Sequence, residues 1–322
     1  MPIKKKQLAK GMHVNRLVLS RDGRFAVGHQ APGLQTQEVC VVDVEKATER
    51  RVTLDAPIER IAAASFLGPD LVAAALEPLK GGEEYSWRLL VIDPEGKVTA
   101  SRAVTKSKIS GALAVGAEGQ VALLVSTTLF VWKPNELRQG KAPRKLEVPA
   151  LPNTMGHLVW SDAGELVTLG RDCVVVLSSA LKVRKIPLPG IEPLDALSCT
   201  AGTVAFHGSN DTEFELIVLV DLKTGRVTTC PNWLFNQAQL SGGVLLGASG
   251  GKTWLKKLGW SGASREPVLQ QGYVMRLGLD GKKKDVVAMK LGRVDACAGI
   301  GDVVLIGTHQ GITWYSGVFP KS

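Results

Sequence analysis

The chain has 322 residues, 45% of them hydrophobic, with 35 glycines and 5% aromatics, enough apolar surface for one large repeat domain or two ordinary ones. Lys and Arg outnumber Asp and Glu by 39 to 30, a formal charge of +9, which favours acidic partners such as a protein surface, nucleic acid or anionic lipid. No apolar run approaches a membrane span, MPIKKKQLAKGM lacks the apolar stretch of a secretory signal, and five scattered cysteines without a CxxC form no disulfide framework.

Short apolar runs bounded by glycine or aspartate turns recur down the chain, and helical periodicity is hard to find. A strand–turn–strand unit appears seven times. It begins with NRLVLSRDGRFAVGHQ (15–30), ERIAAASFLGPDLVAAALEP (59–78) and SGALAVGAEGQVALLVST (110–127). GHLVWSDAGELVTLG (156–170) and LDALSCTAGTVAFHG (194–208) continue it, then NQAQLSGGVLLGASGG (236–251) and RVDACAGIGDVVLIGTHQ (293–310). Each of the first six is followed by a second hairpin, as in EVCVVDVEKATERRVTL (38–54), RLLVIDPEGKVTASRAV (88–104) and ELIVLVDLKTGRVTTC (215–230). Four strands per unit at this spacing predict the blades of a β-propeller. The predicted blades span 12–57, 58–107, 108–154, 155–191, 192–234, 235–292, and 293–322 with 1–11, within one domain of 1–322.

Tight hairpins need residues that tolerate positive φ, and Gly23, Gly119, Gly164 and Gly202 stand at the first turn of their units. The first strands are rich in Ala, Ser, Gly and Leu, as blades converging on an axis require. The seventh unit stops after GITWYSG (311–317), and IKKKQLAK (3–10) can supply its missing outer strand. Sharing the last sheet between both chain ends removes an exposed edge. Six against seven blades stays open at this level, because unit four is short and unit six swollen. In period and turn chemistry the chain resembles the WD-repeat-like β-propellers over nearly its whole length. VVDVEKATER, VIDPEGK and VLVDLKTGR echo the usual hairpin, while the Gly-His and Trp-Asp dipeptides are missing from the expected places. The resemblance implies an all-β fold of seven four-stranded antiparallel blades.

GASGGKTW (247–254) imitates a phosphate loop. The pattern GxxxxGK[ST] would require glycine at 246, which is Leu246, and a following helix. TWLKKLGWSGASREPV offers no helix, so GASGG reads as the exit from a strand. The stretch that follows is an insertion of about twenty residues between the second and third strands of unit six. Lys252, Trp254, Lys256, Lys257 and Trp260 interleave tryptophan with lysine there, a composition suited to an acidic or aromatic-rich partner; the plainer alternative packs the tryptophans on their own blade. Arg16, Arg60, His157, Asp195, Asn236 and Arg293 fall near the starts of innermost strands, where arginines around a funnel could hold an anion.

His29, His207 and His309 end second strands, but with no HxH, HExxH or nearby cysteine they predict no metal site. Cys40, Cys173, Cys199, Cys230 and Cys297 read as free thiols of a reducing compartment, so the cytoplasm is the expected address. Lys4–Lys6 and Lys282–Lys284 fall on predicted outer strands or their turns, where they deter edge pairing. Nucleic acid ranks low as a partner, since the lysine runs have no aromatic platform beside them. No nucleophile–base pair, carboxylate pair or cofactor motif stands out. The leading expectation is a non-catalytic scaffold or adaptor, a monomer by itself within a hetero-complex, that binds an acidic protein through one face. The alternative is an enzyme or anion binder using Arg16, Arg60, His157, Asp195 and Arg293.

Overall fold

A computed structural model describes the chain except residues 1, 31–36, 55–57, 59, 80–83, 108–110, 149–157, 181, 212–215, 232–236, 242–243, 250–272, 280–282, 293 and 320–322. Among the described residues every regular element is a strand. β1 (Lys4–Leu8) precedes the first sheet, which is β2 (Arg16–Leu19), β3 (Phe25–His29), β4 (Glu38–Asp43) and β5 (Thr48–Thr53). The second is β6 (Arg60–Leu67), β7 (Asp70–Pro78), β8 (Tyr85–Ile92) and β9 (Val98–Ser107). The third holds β10 (Gly111–Val115), β11 (Val121–Val125), β12 (Thr128–Trp132) and β13 (Arg144–Glu147). β14 (Leu158–Trp160), β15 (Leu166–Leu169), β16 (Cys173–Leu177) and β17 (Val183–Pro187) make the fourth. The fifth is β18 (Glu192–Thr200), β19 (Thr203–Ser209), β20 (Leu216–Asp221) and β21 (Val227–Pro231). β22 (Gln237–Ser241), β23 (Val244–Ser249), β24 (Tyr273–Leu277) and β25 (Lys283–Ala288) form the sixth. The seventh combines β26 (Ala296–Ile300), β27 (Val303–Thr308) and β28 (Gly311–Ser316) with β1.

In the first six sheets the strands lie in chain order; in the seventh the order is β26, β27, β28, β1. This is the seven-bladed β-propeller, with the amino-terminal strand completing the last blade. The residues pack as two compact units, one of residues 18–189 and one of residues 1–17 with 190–322.

In the unit of residues 18–189 the second and third sheets are each buried from both sides. Leu71, Ala73, Ala75, Leu90 and Ile92 of the second sheet pack against Val27, Val39 and Val41 of the first. The alternate residues Val72, Ala74, Leu76, Trp87 and Leu89 pack against Val121, Leu123, Phe130 and Trp132 of the third. Strand side chains point to opposite faces in turn, so a run such as DLVAAAL serves two interfaces at once and reads as continuously apolar. Ala122, Leu124 and Val131 then meet Leu166, Val175 and Leu177 of the fourth sheet.

The other unit repeats the arrangement. Ala205, Ile217 and Cys230 pack on Leu245, Tyr273 and Met275, while Leu246 and Val274 pack on Cys297, Ile306 and Tyr315. Small residues on first strands have a local cause: a Cβ at Gly111 would collide with the Trp87 ring.

The turns follow the chemistry of their residues. Gly23, Gly119, Gly164 and Gly202 all take positive φ, between 69° and 83°. In the second hairpins an aspartate closes the turn by accepting backbone N–H groups. Asp43 Oδ1 accepts from Lys46 at 2.9 Å, Asp93 Oδ1 from Lys97 at 2.8 Å, and Asp221 Oδ1 from Thr224 at 2.7 Å. These are the aspartates of VVDVEKATER, VIDPEGK and VLVDLKTGR.

The closing strand is held over its full length. β1 pairs antiparallel with β28 from Lys4 opposite Ser316 to Leu8 opposite Ile312, and Thr313 Oγ1 donates to Gln7 Oε1 at 2.8 Å. The chain then crosses the turn that joins β27 to β28, where Gly11 N–H donates to the Gln310 carbonyl and Val14 N–H to that of Thr308. Gly311, at φ +129°, lies under this crossing, and a Cβ there would sit 2.5 Å from the Ala9 oxygen and 2.6 Å from that of Leu8. Gly311→Ala is therefore expected to cost about 1–3 kcal/mol, whereas Gly292→Ala, with open space around it, should stay within about 0.5 kcal/mol of the parent. Urea midpoints of the two variants check this, and equal midpoints would contradict the close crossing.

Candidate functional site

Two of the residues expected at the mouths of innermost strands are described with their side chains. Arg16 opens β2 and Arg60 opens β6, and both are half-buried. The Arg60 guanidinium lies 5.4 Å from the centre of the Tyr85 ring, an arrangement that stabilises the cation and holds the ring at the start of β8. Next to it in the same sheet Arg88 forms an ion pair with Glu77 at 3.0 Å and donates to Ser101. Asp195 lies in β18 opposite His207 in β19, at a point where the pairing register shifts. His157, Asn236 and Arg293 lie outside the described residues, as do Lys252, Trp254, Lys256, Lys257 and Trp260.

The insertion in the sixth sheet lies between two strands that are paired with each other, β23 and β24. Ser249 at the end of β23 is paired with Tyr273 at the start of β24, and Tyr273 is fully buried among Leu245, Met275 and Leu240. Gly247, Ala248 and Ser249 of the phosphate-loop imitation belong to β23.

Charge is distributed in a way the linear sequence conceals. The fourth, outermost strands of the seven sheets (β1, β5, β9, β13, β17, β21 and β25) together carry thirteen Lys or Arg against three Asp or Glu. That net of +10 exceeds the +9 of the whole chain. Within residues 18–189 the outer strands hold eight basic residues against two acidic ones, while the remainder holds thirteen against seventeen. The excess that looks scattered along the sequence is thus gathered on the outer strands of six of the seven sheets, β21 carrying none. Its signal was present in ATERRVTL, PRKLEV and KVRKIPL, which place a basic pair in the fourth strands of units one, three and four; only the longer lysine runs stand out by eye.

The gathering also has a register. Arg50 and Arg51 stand opposite Val41 and Cys40, Arg144 and Lys145 opposite Val131 and Phe130, and Arg184 and Lys185 opposite Val176 and Val175. The first and last of these pairs lie inside β5 and β17, and Arg144 with Lys145 opens β13. Arg50 and Arg102 are half-buried, each against a glycine of the next sheet's second hairpin, Gly96 and Gly140 respectively.

Histidine and cysteine offer little chemistry. No group of three or more His, Cys, Asp or Glu among the described residues is disposed to hold a metal ion. His29 is buried with Nδ1 3.1 Å from the Gln30 oxygen, and His309 is exposed in the β27–β28 turn. His13 Nε2 lies 3.6 Å from Asp295 Oδ2 beside the crossing of the closing strand. All five cysteines are free; Cys199 is half-buried and the others are buried. Burial pushes the Cys40 and Cys297 thiols up to about 12. No helix among the described residues is long and apolar enough to cross a membrane.

The class of protein is set by these seven sheets, a β-propeller, and solved structures agree. Over 98% of its length the chain resembles a chain of the mitotic checkpoint complex, with a TM-score of 0.62, 12% identity and 91% of that chain covered. It resembles the extracellular domain of a one-component system protein from B. thetaiotaomicron at TM-score 0.60 and 11% identity, over 97% of this chain and 40% of that one. The chain is also similar to puromycin hydrolase at TM-score 0.54 and 12% identity, over 85% of this chain and 45% of that one. Such low identities speak for the fold and leave its use to the site. No family model and no curated protein matches the sequence.

The thiol environments give a direct check. In native protein at pH 8 only Cys199 should react readily with a thiol reagent, and all five should react once the chain is unfolded; fast reaction of three or more in the native state would contradict the packing. A thiol held neutral in the fold keeps its proton where the unfolded chain has lost it. The contribution of these thiols to stability should consequently be constant below about pH 9 and fall as pH rises from there towards 12. Replacing Cys297 by Ala should flatten that fall in equilibrium unfolding measured against pH.

Proposed function

We propose that this propeller is a non-catalytic protein-binding platform of the cytoplasm, a scaffold or adaptor subunit that takes an acidic partner through the insertion of residues 250–272. One observation carries the reading: the insertion leaves and re-enters a rigid sheet at a paired position, Ser249 opposite Tyr273. Long loops on a rigid frame are where binding residues concentrate. The sequence between residues 252 and 260 holds two tryptophans and three lysines. Tryptophan buries a large area at little entropic cost and dominates contact energies, and neighbouring lysines favour a carboxylate-rich surface.

The test is capture from the native cell with the parent chain, Trp254→Ala/Trp260→Ala and Lys282→Ala/Lys283→Ala/Lys284→Ala compared side by side. A central tryptophan contact is worth about 2 kcal/mol or more, so the tryptophan variant should lose the partner and the lysine variant should retain it. Equal retention by both variants, or equal loss, would remove the insertion as the docking element.

A further inference from the structure

The outer strands of residues 18–189 raise a separate question from the insertion. Charged residues on a free edge prevent strand addition, and for that purpose either sign would serve. Here the edge is basic by eight residues to two, while the rest of the same unit is acidic by seventeen to thirteen. Protection alone does not demand one sign set against an opposite background.

Six of the eight cations, Arg51, Lys106, Arg144, Lys145, Arg184 and Lys185, are exposed. Arg51 reaches Glu49 and Arg184 reaches Glu165, each at 3.8 Å and each partly exposed, contacts that solvent weakens. Lys106, Arg144 and Lys145 form no ion pair among the described residues, and Lys145 lies 5.5 Å from the centre of the Phe130 ring. The sheets that carry them follow one another in packing order, β3 on β6, β6 on β10 and β10 on β14, so their outer strands succeed one another along one side of the unit.

We propose that this edge binds the phosphate backbone of double-stranded nucleic acid without reading its sequence. A ligand for such an edge must present negative charge at several separated points. A duplex does so without any matching fold, because its phosphates form an unbroken line. An acidic protein would need a carboxylate cluster placed opposite each strand. Arginine and lysine together suit phosphate oxygens, which accept both the planar fork and the point charge. The low rank of nucleic acid in the sequence rested on the missing aromatic platform. That platform is a requirement of single strands, and β5, β9, β13 and β17 contain no aromatic residue; backbone contacts to a duplex need none. The proposal is independent of the insertion and its partner.

Fluorescence anisotropy of a labelled 30-base-pair duplex of random sequence, titrated with the full chain from 50 to 200 mM salt, is the test. Six phosphate contacts predict a slope of log Kobs against log salt of about −5. The variant Arg144→Glu/Lys145→Glu/Arg184→Glu/Lys185→Glu should weaken binding at least tenfold and bring the slope to about −2. Arg21→Glu/Arg24→Glu/Arg171→Glu/Lys223→Glu changes net charge equally, at exposed turn positions that neither belong to nor adjoin β5, β9, β13 or β17, and should retain most of the affinity. Should the glutamate set unfold, glutamine at Arg144, Lys145, Arg184 and Lys185 provides the same comparison. Equal loss in the edge and turn variants would overturn the proposal. So would binding of a 30-nucleotide single strand, or of a polyglutamate peptide of the same charge, as tightly as the duplex.

Discussion

Everything in this fold depends on sheets that are apolar on both faces. Ala73 and Leu90 of the second sheet belong to one interface and Trp87 and Leu89 to the next, so no sheet of the unit could stand alone in water. The strand order leaves two edge strands in each sheet; the innermost ones contact one another, β6 with β10 and β10 with β14, and the outermost one is set away from those contacts. Packing therefore decides where charge is tolerated. Buried strands such as VALLV in β11 and CVVVL in β16 carry none, while TERRVT, RKLE and VRKIP at the edges carry it in pairs.

The same constraint explains the treatment of the chain ends. The last three strands would leave the face of β28 away from β27 unpaired, and β1 fills it with five cross-strand partners. Only after Leu8 does the chain turn, across Gly311 and alongside Thr308, towards the first sheet. A glycine is required where two backbones approach this closely. The lysines of β1 keep the completed sheet wet at its rim, as the basic pairs do on β5, β13 and β17.

Much of this architecture could be read from residues alone because turns and strands have local causes. Gly23, Gly119, Gly164 and Gly202 announced positive φ, and Asp43, Asp93 and Asp221 announced hairpins closed by a carboxylate. The amino-terminal strand could be assigned because the seventh unit was one strand short. The candidate sites were less legible. Arg60 was placed at the start of an innermost strand, and its guanidinium lies over Tyr85 of β8, two strands away in the same sheet, a contact between residues 25 positions apart that no local pattern encodes. The basic edge was missed for a related reason. Each of the four sheets of residues 18–189 contributes only two residues to it, and these become neighbours when the sheets pack.

Hydrogen–deuterium exchange of native protein tests the central claim, that the outermost strands are the free edges of doubly buried sheets. Amides of β7, β11, β15 and β19 should exchange only on global unfolding, while on β5, β9, β13 and β17 alternate amides should exchange rapidly because they face water instead of a neighbouring strand. Uniform protection along those outer strands would contradict the account, since the edges, and the cations they carry, would then be covered.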